Sequence, residues 1–461
     1  MKTINPGIFR EYDIRGIVDA DLDEGVYETI GKAFGTYVKD HGGKVLSLGR
    51  DCRLSSPGYA RAMTRGITST GIDVVDIGMV TTPMLYFSLY NLPVDGGVMI
   101  TASHNPGEYN GVKLCLGRDS VFGEEIQKIR EIADGGEFHT GAGTAAETSI
   151  EEKYVEFLKS NVEIKPGLRL AVDYGNGMVG VIGPRVFREF GCDVKELYVT
   201  PDGTFPNHHP DPTVEENVAE LAETVTREGF RLGIGFDGDG DRVGVIDGDG
   251  RIIWGDMLVL VYARDVLSRK KGAEVIGDVK CSNRLFEGIE AAGGKPVMWK
   301  TGHSLIKNKM KKDGAALAGE MSGHIFFADK FFGYDDALYA ALRLLEIISS
   351  TGKTIPRLLE GVPPAVSTPE IRVDCPEAIK FPAVELVRKK LGEKYRVIDI
   401  DGARIEFPDG WGLIRASNTQ PALVLRFEAR SEERVDEIRS IIEQALASAM
   451  KELSQAGLER M

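Results

Sequence analysis

An acidic loop, D-G-D-G-D-R at positions 237–242, holds the residues of this sequence best suited to bind a metal ion. Asp237, Asp239 and Asp241 alternate with glycines, and in an extended loop side chains two residues apart point to the same side. Three carboxylates that converge repel one another unless a cation lies between them. Oxygen ligands suit Mg²⁺, which also accepts a phosphate oxygen. The loop therefore predicts a magnesium site beside a phosphate.

Three other interpretations of this loop compete with metal binding. An EF-hand needs Gly at loop position six and Glu at position twelve, where this chain has Arg242 and Gly248. A G-x-G-x-x-G pattern overlaps the loop at 233–238, but a dinucleotide site needs a helix there, and V-G-V-I favours a strand. An acidic surface turn is the remaining alternative. The apolar runs on both sides of the loop favour metal binding over it.

A second candidate is Ser103, in the segment T-A-S-H-N-P at 101–106. The apolar run Val98–Ile100 precedes it and Asn-Pro marks a turn, so Ser103 and His104 lie at the end of a strand, where α/β proteins bind ligands. By itself, a serine in such a turn is more typical of a cap than of a nucleophile. The chain has no G-x-S-x-G elbow, so acyl transfer has little support.

The elements that must position these residues form a repeat. Three apolar runs are each followed by a turn, a helix-like stretch and a second strand that begins at a glycine. The runs are Lys44–Asp51, Leu168–Asp173 and Glu274–Lys280, the second strands begin at Gly71, Gly191 and Gly294, and the third helix covers Leu285–Ala292. Strand–helix–strand units occur in any α/β protein, but the shared glycine favours three similar α/β domains.

The chain changes character after Pro363 and Pro364. Short strand-like runs surround one helix-like segment, and an amphipathic helix closes the chain. The runs are Ile371–Val373, Arg396–Ile400, Leu413–Arg415 and Leu423–Ala429, and the helices are Val384–Leu391 and Glu433–Leu453. This pattern predicts a smaller α+β domain with a mostly antiparallel sheet. The predicted domains are 1–149, 150–252, 253–366 and 367–461.

The composition limits the possible partners and location. The chain has 461 residues, 42% hydrophobic and 27% charged, which is typical of a soluble globular protein too long for one core. No apolar run could span a membrane, and the first residues lack the core of a signal peptide. Five dispersed cysteines without a C-x-x-C pair predict reduced thiols in the cytoplasm. A net charge of −14 argues against nucleic acids and anionic membranes, so an anionic substrate needs a locally basic pocket.

Four motifs occur together in a fixed order along the chain. They are T-A-S-H-N-P with Y-N-G-V-K (101–113), D-G-D-G-D-R (237–242), G-E-M-S-G-H (319–324) and R-A-S-N-T-Q-P (415–421). Together they resemble the α-D-phosphohexomutase superfamily over essentially the full chain, most closely its bacterial-type phosphomannomutase/phosphoglucomutase branch. Phosphoglucosamine mutases carry Gln at the position of Met321. The resemblance implies mixed sheets in the first three domains and four domains around a central cleft.

The resemblance implies reversible transfer of phosphate between C1 and C6 of a hexose phosphate. Ser103 would be phosphorylated and would give a fourth oxygen to one Mg²⁺ per chain, held with Asp237, Asp239 and Asp241. The phosphate would pass to the substrate, and the resulting hexose 1,6-bisphosphate would turn end for end and return its other phosphate. Glucose 1,6-bisphosphate would be both intermediate and activator. The implied substrates are mannose and glucose 1- or 6-phosphate, and the implied protein is a monomer or weak homodimer.

The resemblance also assigns residues to the site. The catalytic set besides Ser103 is Arg15, His104, Lys113 and Arg242. The substrate-binding set is Lys280, His303, Glu320, Ser322, His324, Arg415, Ser417, Asn418 and Thr419. Lys113 could act as a general acid or base if its neighbours depress its pKa. The alternatives are structural roles for the two histidines, a solvated loop acid for Glu320 and a polar turn for the segment 415–421.

Other functions remain open from the sequence. A phosphoglucosamine mutase would differ in its sugar, and Met321 argues against it. A catalytically silent sensor of sugar phosphates or Mg²⁺ is the alternative from another class, although Ser103 and the three aspartates are all present. A phosphatase would use water in place of the sugar hydroxyl. A kinase lacks support because Gly352-Lys353-Thr354 has no upstream P-loop glycine.

Overall fold

The computed structural model of the protein describes residues 4–417, 421–455 and 457. Within these residues the chain builds four β-sheets in succession, with helices packed on them. The first three sheets mix parallel and antiparallel strands, and the fourth is antiparallel. The predicted fold class is confirmed: three similar α/β domains precede a smaller α+β domain.

The first domain is built on a seven-stranded sheet in the order β1-β5-β4-β2-β3-β7, with β6 paired to β5. Its strands are β1 (Ile14–Ile17), β2 (Val45–Arg50), β3 (Asp73–Met79), β4 (Gly96–Ile100), β5 (Tyr109–Leu116), β6 (Asp119–Ser120) and β7 (Ala145–Glu147). Its helices are α1 (Glu24–Asp40), α2 (Ser56–Thr68), α3 (Thr82–Asn91) and α4 (Glu124–Gly135), after a 3-10 turn at Pro6–Ile8. Strands β2, β3 and β4 are parallel, whereas β5 is antiparallel to β4.

The second domain has a five-stranded sheet in the order β12-β11-β10-β8-β9. Its strands are β8 (Arg169–Asp173), β9 (Asp193–Leu197), β10 (Leu232–Phe236), β11 (Val243–Asp247) and β12 (Ile252–Ile253). Its helices are α5 (Glu151–Asn161), α6 (Val179–Glu189) and α7 (Ala219–Glu228), which follows a 3-10 turn at Glu215–Val218. Strands β8, β9 and β10 are parallel, and β10 and β11 form an antiparallel hairpin.

The third domain has a four-stranded sheet in the order β14-β13-β15-β16. Its strands are β13 (Glu274–Asp278), β14 (Lys295–Trp299), β15 (Leu317–Gly319) and β16 (Ile325–Phe327). Its helices are α8 (Gly255–Arg269), α9 (Asn283–Ala291), α10 (His303–Asp313), α11 (Ala337–Thr351) and α12 (Ile355–Leu358). Strand β13 is parallel to β14 and β15, and β15 is antiparallel to β16.

Three of the four candidate motifs occupy the same place in this repeated sheet. In each α/β domain a buried strand from the parallel set is followed directly by its antiparallel neighbour: β4 by β5, β10 by β11, and β15 by β16. The connecting loops hold the segments 101–108, 237–242 and 320–324. Because β4 and β10 are buried throughout, their sequences are continuous apolar runs rather than alternating ones. The repeat therefore presents one functional loop per domain.

The fourth domain has a six-stranded antiparallel sheet in the order β17-β22-β21-β20-β19, with β18 also paired to β22. Its strands are β17 (Val366–Ser367), β18 (Ile371–Asp374), β19 (Arg396–Ile398), β20 (Ala403–Phe407), β21 (Gly410–Ala416) and β22 (Ala422–Ala429). Its helices are α13 (Glu377–Gly392) and α14 (Glu432–Gln455). Both predicted helices and all four predicted strands are present, and β17 and β20 are additional strands that the sequence analysis missed.

The hydrophobic core explains how the domains hold together. One continuous apolar cluster includes Met84 of α3, Ile182 of α6, Leu258 of α8 and Leu342 of α11, so elements of the first three domains pack on one another. The fourth domain has its own core between its sheet and helices. Among the described residues, no helix has both the length and the apolar character needed to cross a membrane.

Candidate active site

Ser103 lies in the loop between β4 and β5 (101–108), the serine loop. Its backbone takes an unusual conformation there. Its φ is +53°, in the left-handed region, and its amide donates to Thr101 Oγ1 at 3.0 Å. The buried side chain points to the second domain, with its Oγ 3.2 Å from Asp237 Oδ2 and 3.1 Å from His104 Nδ1. Burial, with Arg242 next, lowers the pKa of His104 well below its ordinary value, so His104 is neutral here.

The acidic loop is folded around Asp237. Its Oδ1 accepts hydrogen bonds from the backbone amides of Gly240, Asp241 and Arg242, at 2.9, 3.0 and 3.1 Å. This leaves Oδ2 to face Ser103. A Cβ atom at Gly238 would stand 2.5 Å from Ser103 O, so glycine allows the acidic loop to touch the serine loop there.

The acidic loop also contacts the starts of two helices from other domains. Thr82, at the start of α3, donates from its amide to Asp239 O at 2.9 Å and from its hydroxyl to Asp239 Oδ2 at 2.6 Å. Ala337, at the start of α11, donates to Gly240 O at 3.2 Å. Helix N-termini carry partial positive charge, which stabilises an acidic loop. Elements from the first three domains thus meet at this loop.

The three carboxylates fit a divalent cation. Asp237, Asp239 and Asp241 are each fully buried, and one oxygen of each lies within 4.8 Å of the others. Asp239 Oδ1 and Asp241 Oδ1 have no hydrogen-bond partner, which is costly for buried carboxylate oxygens. Burial, then the charges of Asp241 and Asp239, raise the pKa of Asp237 well above its ordinary value. A hard cation would satisfy the unpartnered oxygens and relieve the repulsion.

Lys113 joins this cluster as a cation. Its Nζ lies 2.9 Å from Asp239 Oδ2 and 2.5 Å from Asp241 Oδ2. Burial lowers the pKa of Lys113, but Asp239 and Asp241 outweigh burial and raise it above its ordinary value. These neighbours raise the pKa of Lys113 and do not depress it, and a general acid or base role for Lys113 stays a prediction. Lys113 provides a positive charge between the two carboxylates.

Lys113→Met should lower the free energy of unfolding of the metal-free protein by about 3–5 kcal/mol, because two buried carboxylates lose their cation. Mg²⁺ should restore part of this loss by binding the same oxygens. The measurement is denaturant unfolding with chelator and with Mg²⁺. Lys309→Met is the control, since Lys309 pairs with Asp313 near the surface and should cost under about 1 kcal/mol. If both variants lose the same free energy of unfolding, and Mg²⁺ does not change that loss, Lys113 is not the cation that stabilises the acidic loop.

Glu320 and Ser322 lie in the loop between β15 and β16 of the third domain. Glu320 is buried, so it is not a solvated loop acid, and its Oε1 accepts the amide of Gly302 at 2.5 Å. Its Oε2 lies 3.5 Å from Ser322 Oγ and 3.9 Å from His324 Nε2. Burial is the largest cause that raises the pKa of Glu320. This carboxylate can accept hydrogen bonds from two neighbouring hydroxyl groups of a bound sugar.

The two predicted histidines are stacked on each other beside the acidic loop. The rings of His303 and His324 are 5.6 Å apart, and both residues are buried. His324 Nε2 accepts from Arg242 Nε at 2.9 Å, which places the proton on Nδ1, 3.0 Å from Asp335 Oδ2. Burial lowers the pKa of His303 well below its ordinary value. Asp335, which the sequence analysis missed, lies beside both rings, with its Oδ2 3.8 Å from His303 Nδ1.

Two further predicted cations pair with carboxylates on the side of the fourth domain. Lys280 lies 3.1 Å from Glu370, and Arg415 lies 3.0 Å from Asp401. Burial lowers the pKa of Lys280, but Glu370, Asp278 and Glu320 together raise it. Lys280 therefore remains charged, and its charge interacts with the carboxylate of Glu320.

Ser417 and Arg15 are the other predicted residues that the structure places. Ser417 is buried at the end of β21, directly after Arg415 and Ala416, while Asn418 and Thr419 lie outside the described residues. Arg15, on β1, donates to Asn105 Oδ1 in the serine loop and to Asp13 Oδ2, both at 2.5 Å.

Family models match four successive parts of the chain. Those for Phosphoglucomutase/phosphomannomutase alpha/beta/alpha domains I, II and III match residues 6–140, 152–250 and 254–366, and that for the C-terminal domain matches 370–445. A phosphomannomutase/phosphoglucomutase of Pseudomonas aeruginosa is 44% identical over 446 residues, 96% of each chain. A phosphoglucomutase of Neisseria gonorrhoeae is 44% identical over 445 residues, 95% of this chain and 96% of the relative.

Similarity to solved structures agrees with these matches. The crystal structure of a phosphoglucomutase/phosphomannomutase family protein from Burkholderia thailandensis has a TM-score of 0.92 and 41% identity, over 97% of this chain and 98% of that one. The fold and these matches define the α-D-phosphohexomutase class of proteins. Within that class, the chain belongs to the phosphoglucomutase/phosphomannomutase family.

Proposed function

We propose that this protein interconverts the 1- and 6-phosphates of mannose and glucose through a phosphoserine at Ser103 and a hexose 1,6-bisphosphate. The observation that carries the proposal is the 3.2 Å approach of Ser103 Oγ to Asp237, in a loop with two unpartnered carboxylate oxygens. A serine hydroxyl beside a cation-binding carboxylate cluster suits phosphoryl transfer. The names of the relatives, phosphomannomutase and phosphoglucomutase, support the substrate class.

The proposed metal ligands are Asp237, Asp239, Asp241 and an oxygen of the Ser103 phosphate, with one Mg²⁺ per chain. When bound, the metal supplies positive charge that offsets the charge of the transferring phosphoryl group. Lys113 and Arg242 add fixed positive charge on the same side. In the proposed step, the phosphorus–oxygen bond to Ser103 breaks while a new bond forms between phosphorus and the sugar hydroxyl oxygen. The proton of that hydroxyl ends on Ser103 Oγ, so that the serine hydroxyl is regenerated.

Substrate recognition is proposed for the third and fourth domains. Glu320 and Ser322 would bind the sugar hydroxyls, with His303 and His324 beside them. Lys280, Arg415, Ser417, Asn418 and Thr419 would bind the phosphate that does not react, because a guanidinium fork and an ammonium both suit phosphate oxygens. After the first transfer, the bisphosphate would turn end for end, so that the phosphate first held by Lys280 and Arg415 comes to lie at Ser103. Glucose 1,6-bisphosphate would then act as activator by phosphorylating Ser103.

Phosphorus NMR tests this function directly. We expect the purified protein with Mg²⁺ and a trace of glucose 1,6-bisphosphate to convert mannose 1-phosphate and glucose 1-phosphate to their 6-phosphates. Chelator should stop the conversion, and comparison of the two sugars gives the preference. No 6-phosphate from either sugar would overturn the proposal. Conversion of glucosamine phosphate alone would support a phosphoglucosamine mutase, release of inorganic phosphate a phosphatase, and binding without turnover a sensor. Sedimentation would test for a monomer or weak homodimer.

A further inference from the structure

A buried arginine outside the predicted site holds the serine loop. Arg53 follows β2 and is 1% exposed. Its Nη1 donates to the carbonyl oxygens of Pro106 and Tyr109 at 2.6 and 3.0 Å. Its Nη2 donates to those of Ser103 and Asn105 at 2.9 and 2.6 Å. Three carbonyl groups of this loop and one from the first residue of β5 therefore converge on one guanidinium.

The guanidinium itself is fixed from the other side. Arg53 Nε donates to Asp51 Oδ2 at 3.0 Å, so all five of its N–H groups are used. Asp51 Oδ1 accepts the Arg53 amide at 3.0 Å and the Ser56 hydroxyl at 2.5 Å. The ring of Phe205, from the second domain, lies 5.2 Å from the guanidinium carbon. Arg53 has no freedom to swing away from the loop.

The serine loop needs such support because its backbone is strained. A left-handed conformation costs a non-glycine residue about 1–3 kcal/mol and persists only where neighbours fix it. Ser103, with φ of +53°, has its carbonyl bound by Arg53 and its amide bound by Thr101. Relaxation of this residue to an ordinary φ would turn Oγ away from Asp237, which it now approaches at 3.2 Å.

We propose that Arg53 is a positioning residue that sets the direction of Ser103 Oγ for phosphoryl transfer. This inference rests on the proposed function of Ser103. Arg53 acts through the loop backbone and is not placed among the groups that bind the sugar or its distal phosphate. Its loss should therefore lower kcat and leave KM nearly unchanged.

Arg53→Lys is the variant that separates position from charge. Lysine keeps the positive charge but has three N–H donors on a flexible stem and no planar fork, so it cannot bind Asp51 and four carbonyls together. We expect kcat to fall ~100-fold, as for a reacting group displaced by about 1 Å, with KM changed by less than about 3-fold. Asp51→Asn should have a smaller effect in the same direction and serves if Arg53→Lys does not fold.

Arg343→Lys is the matched control. Arg343, in α11, is also fully buried and also pairs with carboxylates, those of Asp265 and Glu346 at 3.2 and 3.0 Å. The Arg343→Lys variant should lose about as much stability as Arg53→Lys but keep the kcat of the unchanged protein. The assay follows mannose 1-phosphate with Mg²⁺ and saturating glucose 1,6-bisphosphate. An unchanged kcat in Arg53→Lys, or an equal fall in both variants, would overturn the proposal.

Hydrogen exchange gives a readout that does not need activity. In Arg53→Lys, peptides that cover residues 101–110 should exchange faster than in the unchanged protein, while the remaining peptides keep their protection. Arg343→Lys should leave the 101–110 peptides protected. If the unchanged protein shows no mutase activity, the proposed function fails, but this local exchange still tests whether Arg53 fixes the loop. Unchanged exchange at 101–110, or a uniform increase over the whole chain, would overturn the positioning role.

Discussion

Ser103→Ala should reduce conversion of hexose 1-phosphate to 6-phosphate by at least ~10³-fold, because the loop then has no oxygen to carry the phosphate. The fold should be unaffected, since the change removes only Ser103 Oγ, which contacts the side chains of His104 and Asp237. Phosphorus NMR with mannose 1-phosphate, Mg²⁺ and glucose 1,6-bisphosphate measures the rate. Intact-protein mass measures whether the chain accepts one phosphate from the bisphosphate; Ser103→Ala should accept none.

Ser88→Ala is the control for loss of a buried hydroxyl in the same domain. Ser88 lies on α3, where its hydroxyl donates to Leu85 O at 2.6 Å and can accept from the Ser47 hydroxyl at 2.8 Å. This variant should keep both its activity and its uptake of one phosphate. If Ser103→Ala converts the sugar at the rate of the unchanged protein, the phosphoserine mechanism is wrong even though the activity stands.

The acidic loop could be predicted because its chemistry is local. Three carboxylates two residues apart converge by backbone geometry alone, and the flanking strands appear as apolar runs in the sequence. The strands, helices and three-fold repeat were predictable for the same reason, since hydrophobic periodicity acts over short segments. Strand β20, Ala403–Phe407, was missed although A-R-I-E-F alternates apolar and charged residues, the pattern typical of a strand.

Ser103 shows where sequence reasoning from the residues ends. Its segment is an ordinary polar turn by composition, and only the four-motif resemblance indicated a nucleophile. What distinguishes it, the positive φ and the contact with Asp237, depends on residues distant in the chain. Arg53 and Asp335 were missed for the same reason, because a single arginine or aspartate carries no signal until the fold reveals its partners. For Arg53 the available indication was the group of polar residues at the end of β2, in the segment G-R-D-C-R, and for Asp335 it was the segment F-G-Y-D-D-A at 332–337.

Lys113 illustrates why an electrostatic role cannot be predicted from position. Burial alone would lower its pKa and make it a candidate base, and a strand that is apolar around Lys113 suggests burial. The structure brings Asp239 and Asp241 within 2.9 Å of its ammonium group, and their charges reverse the shift. Those partners come from another domain. Whether the pKa of Lys113 is raised or lowered therefore depends on contacts between two domains, which the sequence around Lys113 does not show.

Asp239→Asn should weaken Mg²⁺ binding by ~100-fold or more and lower kcat by ~10³-fold, because the metal is expected to supply several kcal/mol of charge stabilisation. Asparagine keeps the shape and one acceptor oxygen, so the Thr82 hydroxyl can still bind there. It removes the negative charge and the oxygen that now has no hydrogen-bond partner, Asp239 Oδ1. Calorimetric titration with Mg²⁺ measures affinity, and the NMR assay measures turnover at saturating metal.

Asp247→Asn is the control at the far end of the same hairpin. Asp247 is also buried, but its Oδ1 accepts the backbone amides of Asp249 and Arg251 in the turn after β11. This variant should lose some stability and keep both Mg²⁺ affinity and kcat. If Asp239→Asn binds Mg²⁺ as tightly as the unchanged protein, the acidic loop is not the metal site. If it binds weakly but regains full turnover at high Mg²⁺, Asp239 contributes affinity alone, and the charge stabilisation must come from the cations around it.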